Sequence, residues 1–496
     1  MDSSILSLAN LGPALPVIVL ITWATLLLIV DLFITKKSLT AAIALAGLLL
    51  TGGLLLQQTI AANGMALSGF NGMVMADGFA LFLQGVILLT AFFGILIAME
   101  YLPKHGLERG EYYTLLLFTT TGMMFMTLAN DLIVVFIALE LLSIPLYILT
   151  GFIRNNAISE EAALKYFLLG SFASGFMVYG IALNYGGTGT TQLAGVVNAL
   201  KGETQSLPLA LIGMGLIVVG LGFKVAAVPF HMWTPDVYQG APTPVTAFMS
   251  VGSKIGGFAA LLRVLIMAFP TMAPQWGNVL AIIAIFTMIL GNVVAISQTD
   301  IKRLLAYSSI AHAGYILMAV AASQDPTVAN FAASAAAFYL LTYMFTNLGA
   351  FAIAMAVERA DGTGTAINDY AGLSKTHPWL ALSMSLFMLS LAGLPPSAGL
   401  VGKFFVFEAA IQAGAHGNIL MIITAIVGVL TSLVSAFYYA RVIVMMYFRD
   451  GAGEAELKPA LGAATLLTAL GTFILGVVPG PVFYVAQQAL IKLGGG

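Results

Sequence analysis

Apolar runs of about twenty residues recur along nearly the whole chain and are separated by short polar stretches. A membrane-spanning helix needs about 20 mostly apolar residues. The period-2 alternation that a membrane β-barrel would need is absent. The sequence therefore predicts an all-α membrane protein with about fourteen transmembrane helices, with 1–496 as a single polytopic domain. The predicted helices are 11–33, 39–58, 78–100, 112–129, 131–152, 160–185, 208–230, 243–269, 277–297, 302–322, 329–357, 378–413, 417–446 and 460–484.

The composition excludes several classes of function. Charged residues make up 8% of the chain, against about 25% in soluble domains, and no basic patch indicates nucleic acid as a partner. The chain has no cysteine, which excludes disulfides and cysteine-ligated iron–sulfur or zinc sites. The five histidines show no metal-ligand spacing. We therefore expect no cofactor or metal in this chain, and membrane lipid around it.

The positive charges are distributed unequally between the loops. If fourteen helices alternate in direction, the odd-numbered loops and their edges hold twelve lysines and arginines, and the opposite side holds Lys201 and Lys492. Loops rich in Lys and Arg stay in the cytoplasm. This predicts a multi-pass membrane protein with both termini outside the cytoplasm. The twelve are Lys36, Lys37, Lys104, Arg109, Arg154, Lys302, Arg303, Arg359, Lys375, Arg441, Arg449 and Lys458.

Four ionisable residues lie deep inside predicted membrane helices: Glu140, Lys224, Lys254 and Lys403. Each such charge costs about 2.5–3.5 kcal/mol at mid-membrane. A static salt bridge is the structural alternative, but one glutamate cannot neutralise three lysines. An ammonium without a carboxylate partner in a low dielectric readily gives up its proton. The pattern therefore favours a proton relay.

Four further residues are weaker candidates. Lys165 lies near a predicted helix end and could instead extend to the cytoplasmic interface. His312 falls in mid-helix and can carry a proton near neutral pH, although a lone histidine is often only packed and hydrogen-bonded. His231 borders a helix break, and Glu408 could lie on an exit path or at a helix rim.

Acidic or hydroxyl side chains stand directly before three apolar runs. Asp131, Ser159 and Asp300 occupy these positions, and such residues are preferred as helix N-caps. We therefore expect each of them to cap a helix rather than to take part in chemistry.

Prolines interrupt two of the predicted helices, the seventh at Pro229 and Pro235 and the twelfth at Pro395 and Pro396. Proline removes a backbone donor and breaks a helix. Broken helices at corresponding positions of two inverted halves are a mark of a transport site. The sequence predicts two inverted five-helix repeats, helices 4–8 within 112–269 and helices 9–13 within 277–446.

Two motifs resemble those of the antiporter-like subunits of respiratory complex I, the NADH:quinone oxidoreductase. One is Gly-Phe-Lys-Val-Ala-Ala-Val-Pro-Phe-His-Met-Trp-Thr-Pro-Asp-Val-Tyr-Gln-Gly-Ala-Pro-Thr-Pro-Val at 222–245, and the other is Asp-Ile-Lys-Arg-Leu-Leu-Ala-Tyr-Ser-Ser-Ile-Ala-His-Ala-Gly-Tyr at 300–315. The resemblance covers nearly the whole chain. Lys254, where sister subunits usually have histidine, favours one type of the family over the others, and so does the expected absence of a long lateral helix.

The resemblance implies a role for each candidate. Glu140 would pair with Lys165 or with its counterpart in a neighbouring subunit, and Lys224 would store the proton. Lys254 and His312 would link two half-channels, and Lys403 would lead to the exit. NADH, the flavin FMN, iron–sulfur clusters and quinone would be bound by partner subunits. The partners would be other membrane-arm subunits, including neighbouring antiporter-like ones.

The sequence thus predicts a proton-translocating membrane-arm subunit of NADH:quinone oxidoreductase that carries out no redox catalysis itself. Two alternatives stay open. One is a subunit of a stand-alone multi-subunit cation/proton antiporter, and the other is a structural membrane anchor whose charges only hold helices together.

Overall fold

The computed structural model describes residues 8–202 and 207–490, and most of these residues are helical. The remaining regular elements of this part are three 3-10 turns and one antiparallel hairpin, β1 (Leu67–Gly69) with β2 (Val74–Ala76). The predicted all-α class is confirmed. The helices are α1 (Leu8–Leu11), α2 (Leu15–Asp31), α3 (Lys37–Ala62), α4 (Gly78–Lys104), α5 (Glu111–Leu128), α6 (Leu132–Thr150), α7 (Ala157–Thr188), α8 (Leu193–Gly202), α9 (Leu207–Lys224), α10 (Thr234–Gly240), α11 (Thr243–Ala268), α12 (Ala273–Ile296), α13 (Ile301–Ala322), α14 (Ala329–Val357), α15 (Leu373–Thr376), α16 (Pro378–Ala392), α17 (Ala398–Ala415), α18 (Ile419–Phe448), α19 (Pro459–Val477) and α20 (Gly480–Leu490).

The helices account for all fourteen predicted spans. Thirteen helical segments of the described residues are long and apolar enough to cross a membrane. The fourteenth span is α5, whose 18 residues include five threonines and are therefore less apolar. The predicted segment 378–413 consists of α16 and α17, and the predicted segment 460–484 consists of α19 and α20. The protein is a multi-pass membrane protein.

Three helices form the centre of the bundle. α11, α13 and α14 are buried along nearly their whole length, whereas α7, α18 and α19 expose a large apolar side. Small residues allow close packing here, because membrane helices associate through backbone proximity rather than through the hydrophobic effect. A Cβ at Gly291 of α12, for example, would lie 2.6 Å from the backbone nitrogen of Ala311 in α13.

If consecutive helices cross the membrane in opposite directions, the odd-numbered loops should meet at one end of the bundle. The loops and loop edges that carry the twelve cations contact one another. Lys104 lies 3.4 Å from Glu456, Arg359 lies 3.5 Å from Glu454 and Lys375 lies 3.0 Å from Asp450. These contacts join the third, eleventh and thirteenth loops. We call this surface, formed by loops 32–36, 105–110, 151–156, 297–300, 358–372 and 449–458, the cation-rich face.

The even-numbered loops contact one another at the other end of the bundle, which we call the opposite face. Asp131 accepts a hydrogen bond from Thr191 (2.8 Å), and Asn130 donates to the carbonyl of Gly72 (2.8 Å). His416 lies 2.6 Å from Asp325. These contacts agree with fourteen alternating spans. The predicted positions of the two termini, and Lys492, lie outside the described residues.

Two of the three predicted N-caps are confirmed. The carboxylate of Asp131 accepts from the backbone N–H of Ile133, and that of Asp300 accepts from Arg303. The prediction for Ser159 is wrong. Asn156 caps α7 instead, because its side-chain oxygen accepts from the second and third residues of the helix. The hydroxyl of Ser159 donates to the carbonyl of Thr150.

Candidate functional site

Both predicted helix breaks are present, and side chains satisfy the backbone groups that they free. The first break follows Lys224, the last residue of α9. The indole of Trp233 donates to the carbonyl of Phe223 (3.0 Å), and the backbone N–H of Val228 donates to the hydroxyl of Thr287 (3.0 Å). Irregular backbone at membrane depth is tolerated only where protein or water provides such partners. The break therefore forms a defined pocket for the lysine.

Lys224 is buried and held by neutral groups. Its ammonium donates to the hydroxyl of Ser143 (2.9 Å) and to that of Tyr166 (3.1 Å). Tyr166 stacks on Trp233 with ring centroids 4.5 Å apart, so the break also positions this tyrosine. Within the described part of the chain, no carboxylate forms a salt bridge with Lys224. At contact distance the ammonium is therefore stabilised by hydroxyl groups.

Glu140 lies on the outward side of α6. Ile133, Ile137, Ile144 and Ile148 form an exposed stripe on this helix, and Glu140 falls on that stripe and is half-buried. The hydroxyl of Ser174 donates to its carboxylate (2.5 Å). Ser143, which binds Lys224, is one helical turn away on the same helix. The carboxylate is therefore near enough to influence Lys224 and exposed enough to meet a group outside this chain.

Lys165 does not pair with Glu140 within this chain. Its ammonium lies 2.7 Å from Glu161 and 2.8 Å from Asp236, and 41% of its side chain is exposed. Asp236 also accepts from Arg303 (3.0 Å). These partners lie at the ends of α7, α10 and α13 next to the cation-rich face. This position fits the alternative stated above, in which Lys165 extends to the membrane interface instead of joining a proton relay.

Lys254 lies in the centre of the bundle on α11. The stem of Lys224 packs against Gly257, one turn further along the same helix, since a Cβ at Gly257 would lie 3.5 Å from Cγ of Lys224. The ammonium of Lys254 donates to the carbonyl oxygen of Ser309 in α13 and lies 5.9 Å from the ring centroid of Tyr343. The stem of Lys224 therefore contacts α11 one helical turn away from Lys254.

His312 is buried in α13 between tyrosines. Its Nδ1 shares a hydrogen bond with Tyr339 (2.6 Å) and its Nε2 with Tyr439 (3.2 Å), and Tyr439 also contacts the hydroxyl of Ser308 (2.5 Å). The ring centroid of Tyr343 lies 5.1 Å away. Tyr343 thus separates His312 from Lys254. Hydroxyls can both donate and accept, so the imidazole can exchange a proton on either side.

Lys403 occupies the second break. Its ammonium donates to the carbonyls of Leu391 and Ala392 (both 2.9 Å) and to the hydroxyl of Ser432 (2.7 Å). It also lies 4.8 Å from the ring centroid of Tyr315. A cavity of about 10 Å³, lined by His312, Tyr339, Thr346, Ser390 and Leu391 among others, lies between the histidine and this break. That volume is about the space of one water molecule.

The remaining candidates lie apart from this row. His231 is half-buried in the first break, and its Nδ1 has no hydrogen-bond partner in the described part of the chain. Glu408 is half-buried on α17 and accepts from Gln412 (3.2 Å).

Two arginines hold helices together. Arg263 is fully buried and forms a 2.7 Å ion pair with Asp77. Arg441 donates to the carbonyls of Ile296 and Gln298. The arginines therefore act as anchors between helices.

Several residues of the site were not predicted. The buried lysines and His312 are contacted directly by residues that the sequence does not mark as part of a site: Ser143, Tyr166, Tyr339, Tyr439 and Ser432. Only Ser143 carries a usable signal, because it is a polar residue one turn from Glu140 in an otherwise apolar run. The tyrosines are brought in by tertiary packing and have no local pattern.

Comparisons with known proteins show the family of this chain. The family model described as NADH:quinone oxidoreductase/Mrp antiporter, TM, matches residues 129–431. NADH-quinone oxidoreductase subunit N of Trichlorobacter lovleyi is 44% identical over 489 residues, which cover 97% of each chain.

Two solved structures are also similar. A chain of respiratory complex I from Thermus thermophilus with bound aureothin is 35% identical, with a TM-score of 0.79, over 95% of this chain and 99% of that one. A chain of the Mrp complex from Dietzia sp. is 21% identical, with a TM-score of 0.85, over 98% of this chain and 97% of that one, which shows a shared fold. This chain belongs to the NADH:quinone oxidoreductase/Mrp antiporter family and, within it, to the subunit N type of NADH-quinone oxidoreductase.

Proposed function

We propose that this chain is a proton-translocating membrane-arm subunit of NADH:quinone oxidoreductase and that Lys224, Lys254, His312 and Lys403 form its relay. One observation carries the proposal. All four side chains are buried inside the bundle, and none forms a salt bridge with a carboxylate of the described residues. A static set of structural charges would be paired, because unpaired buried charges are costly.

The contacts suggest an order for the relay. The stem of Lys224 contacts α11 at Gly257, one helical turn away from Lys254. Tyr343 lies between Lys254 and His312. A cavity with room for about one water molecule separates His312 from the carbonyl groups that hold Lys403. Protons would pass along this row by way of hydroxyls and water.

Glu140 would couple the relay to a neighbour. Its carboxylate is half-buried on the outward side of α6, where a cation of an adjoining membrane-arm subunit could approach it. A carboxylate close to Lys224 favours the ammonium, and drawing its negative charge toward another cation favours release of the proton. NADH, FMN, iron–sulfur clusters and quinone would be bound by partner subunits, so that quinone reduction acts on this chain from outside.

The charge asymmetry supports an orientation of the chain, and protons would move from the cation-rich face to the opposite face. We place the cation-rich face in the cytoplasm of a bacterial cell and the opposite face, with both termini, in the periplasm. The two halves, 112–269 and 277–446, would act as inverted half-channels. Lys224 would belong to the first and Lys403 to the second.

Co-purification tests this proposal against the stand-alone antiporter. Tagged chain extracted in mild detergent should bring flavin and iron–sulfur proteins with it, and the isolated assembly should reduce quinone with NADH. An assembly without flavin or iron–sulfur clusters that still exchanges cations for protons would favour the antiporter instead.

A further inference from the structure

A second cluster of buried ionisable groups lies at the cation-rich face, away from the relay. Glu358 follows the last residue of α14 and is 5% exposed. Its carboxylate accepts hydrogen bonds from Tyr101 (2.8 Å) and Thr243 (2.5 Å), and His105 lies 3.8 Å away. Neither Glu358 nor His105 has a local sequence signal, since both lie at helix ends beside loops.

Contacts on both sides hold the ring of His105 in one orientation. Its Nδ1 lies 3.0 Å from the carbonyl oxygen of Tyr101, and its Nε2 lies 3.0 Å from that of Arg359. The ring also stacks on Tyr101 with centroids 3.9 Å apart. The imidazole is therefore fixed beside the carboxylate of Glu358.

A cavity at the cation-rich face reaches Glu358. The cavity has a volume of about 310 Å³ and is also lined by Lys104, Arg359, Glu454 and Glu456. The two glutamates of the rim lie in the loop 449–458 and are exposed, at 75% and 50% of their side chains. Both form ion pairs with the cations of the cavity, so the lining is polar from its exposed rim to the buried carboxylate.

A polar route leads inward from the same carboxylate. Thr243, which donates to Glu358, is the first residue of α11, and Lys254 follows eleven residues later, about 16 Å along the helix axis. Ser309, whose carbonyl accepts from Lys254, has its hydroxyl buried beside those of Tyr238 and Tyr343. The three hydroxyls are polar neighbours of one another, and none forms a hydrogen bond of good geometry with the described residues. Buried polar groups of this kind normally bind ordered water.

We infer that Glu358, held by His105, Tyr101 and Thr243 at the base of this cavity, takes up protons from the aqueous cation-rich face and passes them to Lys254. This inference rests on the proposed function. The carboxylate takes a proton from water in the cavity and becomes a carboxylic acid. It returns to carboxylate when the proton passes along the hydroxyls to the neutral amine of Lys254, which becomes ammonium.

The test uses the intact complex in sealed vesicles. Glu358→Gln should lower the proton-to-electron ratio by the same amount as Lys224→Ala, and Glu358→Asp, which keeps a carboxylate, should retain at least about half of it. Asp31→Asn is the matched control, because Asp31 is a buried carboxylate at the same face that binds Lys37 (2.9 Å) and Thr40 (2.6 Å). It should leave the ratio unchanged. If Lys224→Ala lowers the ratio and Glu358→Gln does not, the uptake site is wrong. If neither does, the proposed relay itself fails.

An infrared measurement keeps the inference testable should Glu358→Gln fail to assemble. A carboxylate that takes up protons must change protonation during turnover, whereas one that only joins helices does not. Turnover-induced difference spectra of the wild-type complex should show a carboxylic-acid carbonyl band that shifts in heavy water and shifts again in Glu358→Asp. A spectrum in which no such band responds to Glu358→Asp overturns the inference.

Discussion

The ammonium of Lys403 lies 2.9 Å from the carbonyl oxygen of Ala392, the last residue of α16. The C-terminal end of a helix carries a partial negative charge of about half an elementary charge. Lys224 differs, because it is itself the last residue of α9 and its ammonium donates to the hydroxyls of Ser143 and Tyr166. Each break thus holds a lysine whose ammonium is hydrogen-bonded to neutral groups.

Gly393 makes room for this arrangement. It has φ +85°, and a Cβ there would lie 2.8 Å from Cδ of Lys403. Gly393→Ala should strain the backbone by about 1–2 kcal/mol and displace the ammonium, so we expect weaker proton pumping at normal assembly. Gly417→Ala is the matched control, since Gly417 has φ +105° with no neighbour within 4 Å of the added Cβ. Equal pumping by the two variants would show that the position of Lys403 does not matter.

His312 should be required for transfer between the halves. His312→Gln keeps a hydrogen-bonding side chain but cannot carry a proton, and the loss of an acid–base group typically slows transfer by about 10²–10⁴-fold. Tyr439→Phe leaves the imidazole in place, removes the contacts of the tyrosine hydroxyl with Nε2 and with Ser308, and should have a smaller effect. Proton flux in vesicles measures both. A larger loss for Tyr439→Phe would place the essential group elsewhere.

The ion pair of Arg263 with Asp77 should be structural. Removing one partner of a buried pair costs about 3–5 kcal/mol, because the other charge stays buried and unpaired. Arg263→Met should therefore lower the thermal stability of the purified assembly, and adding Asp77→Asn should recover part of it. Pumping per electron by the surviving assembly should be normal. A pumping defect without loss of stability would assign Arg263 to the relay.

The predicted orientation can be tested directly, because the chain has no cysteine. Ala360→Cys lies exposed on the cation-rich face and Ala66→Cys lies exposed on the opposite face. In intact cells whose outer membrane is permeabilised, an impermeant thiol reagent should label Ala66→Cys and not Ala360→Cys. The reverse pattern would place the cation-rich face in the periplasm.

Much of the fold could be predicted because its signals are local. Runs of apolar residues locate the fourteen spans, and Pro229 and Pro395 locate the two breaks within them. The partners of the buried charges have no local signal. Tyr166 and Tyr439 reach Lys224 and His312 only through helix packing. The resemblance implies an ion pair between Lys165 and Glu140. In the structure Lys165 pairs with Asp236 instead, and the position of Asp236 depends on how the first break folds.

The central claim is that buried, unpaired lysines carry the protons, and the most direct measurement is the proton-to-electron ratio of the assembled complex in sealed vesicles with Lys224→Ala. Glu140→Gln, which can keep the contact to Ser174 but loses the charge, is measured beside it. Lys375→Ala, whose side chain is 64% exposed and pairs with Asp450, is the control. We predict a lower ratio for the first two variants at normal assembly and an unchanged ratio for the control. An unchanged ratio for both Lys224→Ala and Glu140→Gln would contradict the account.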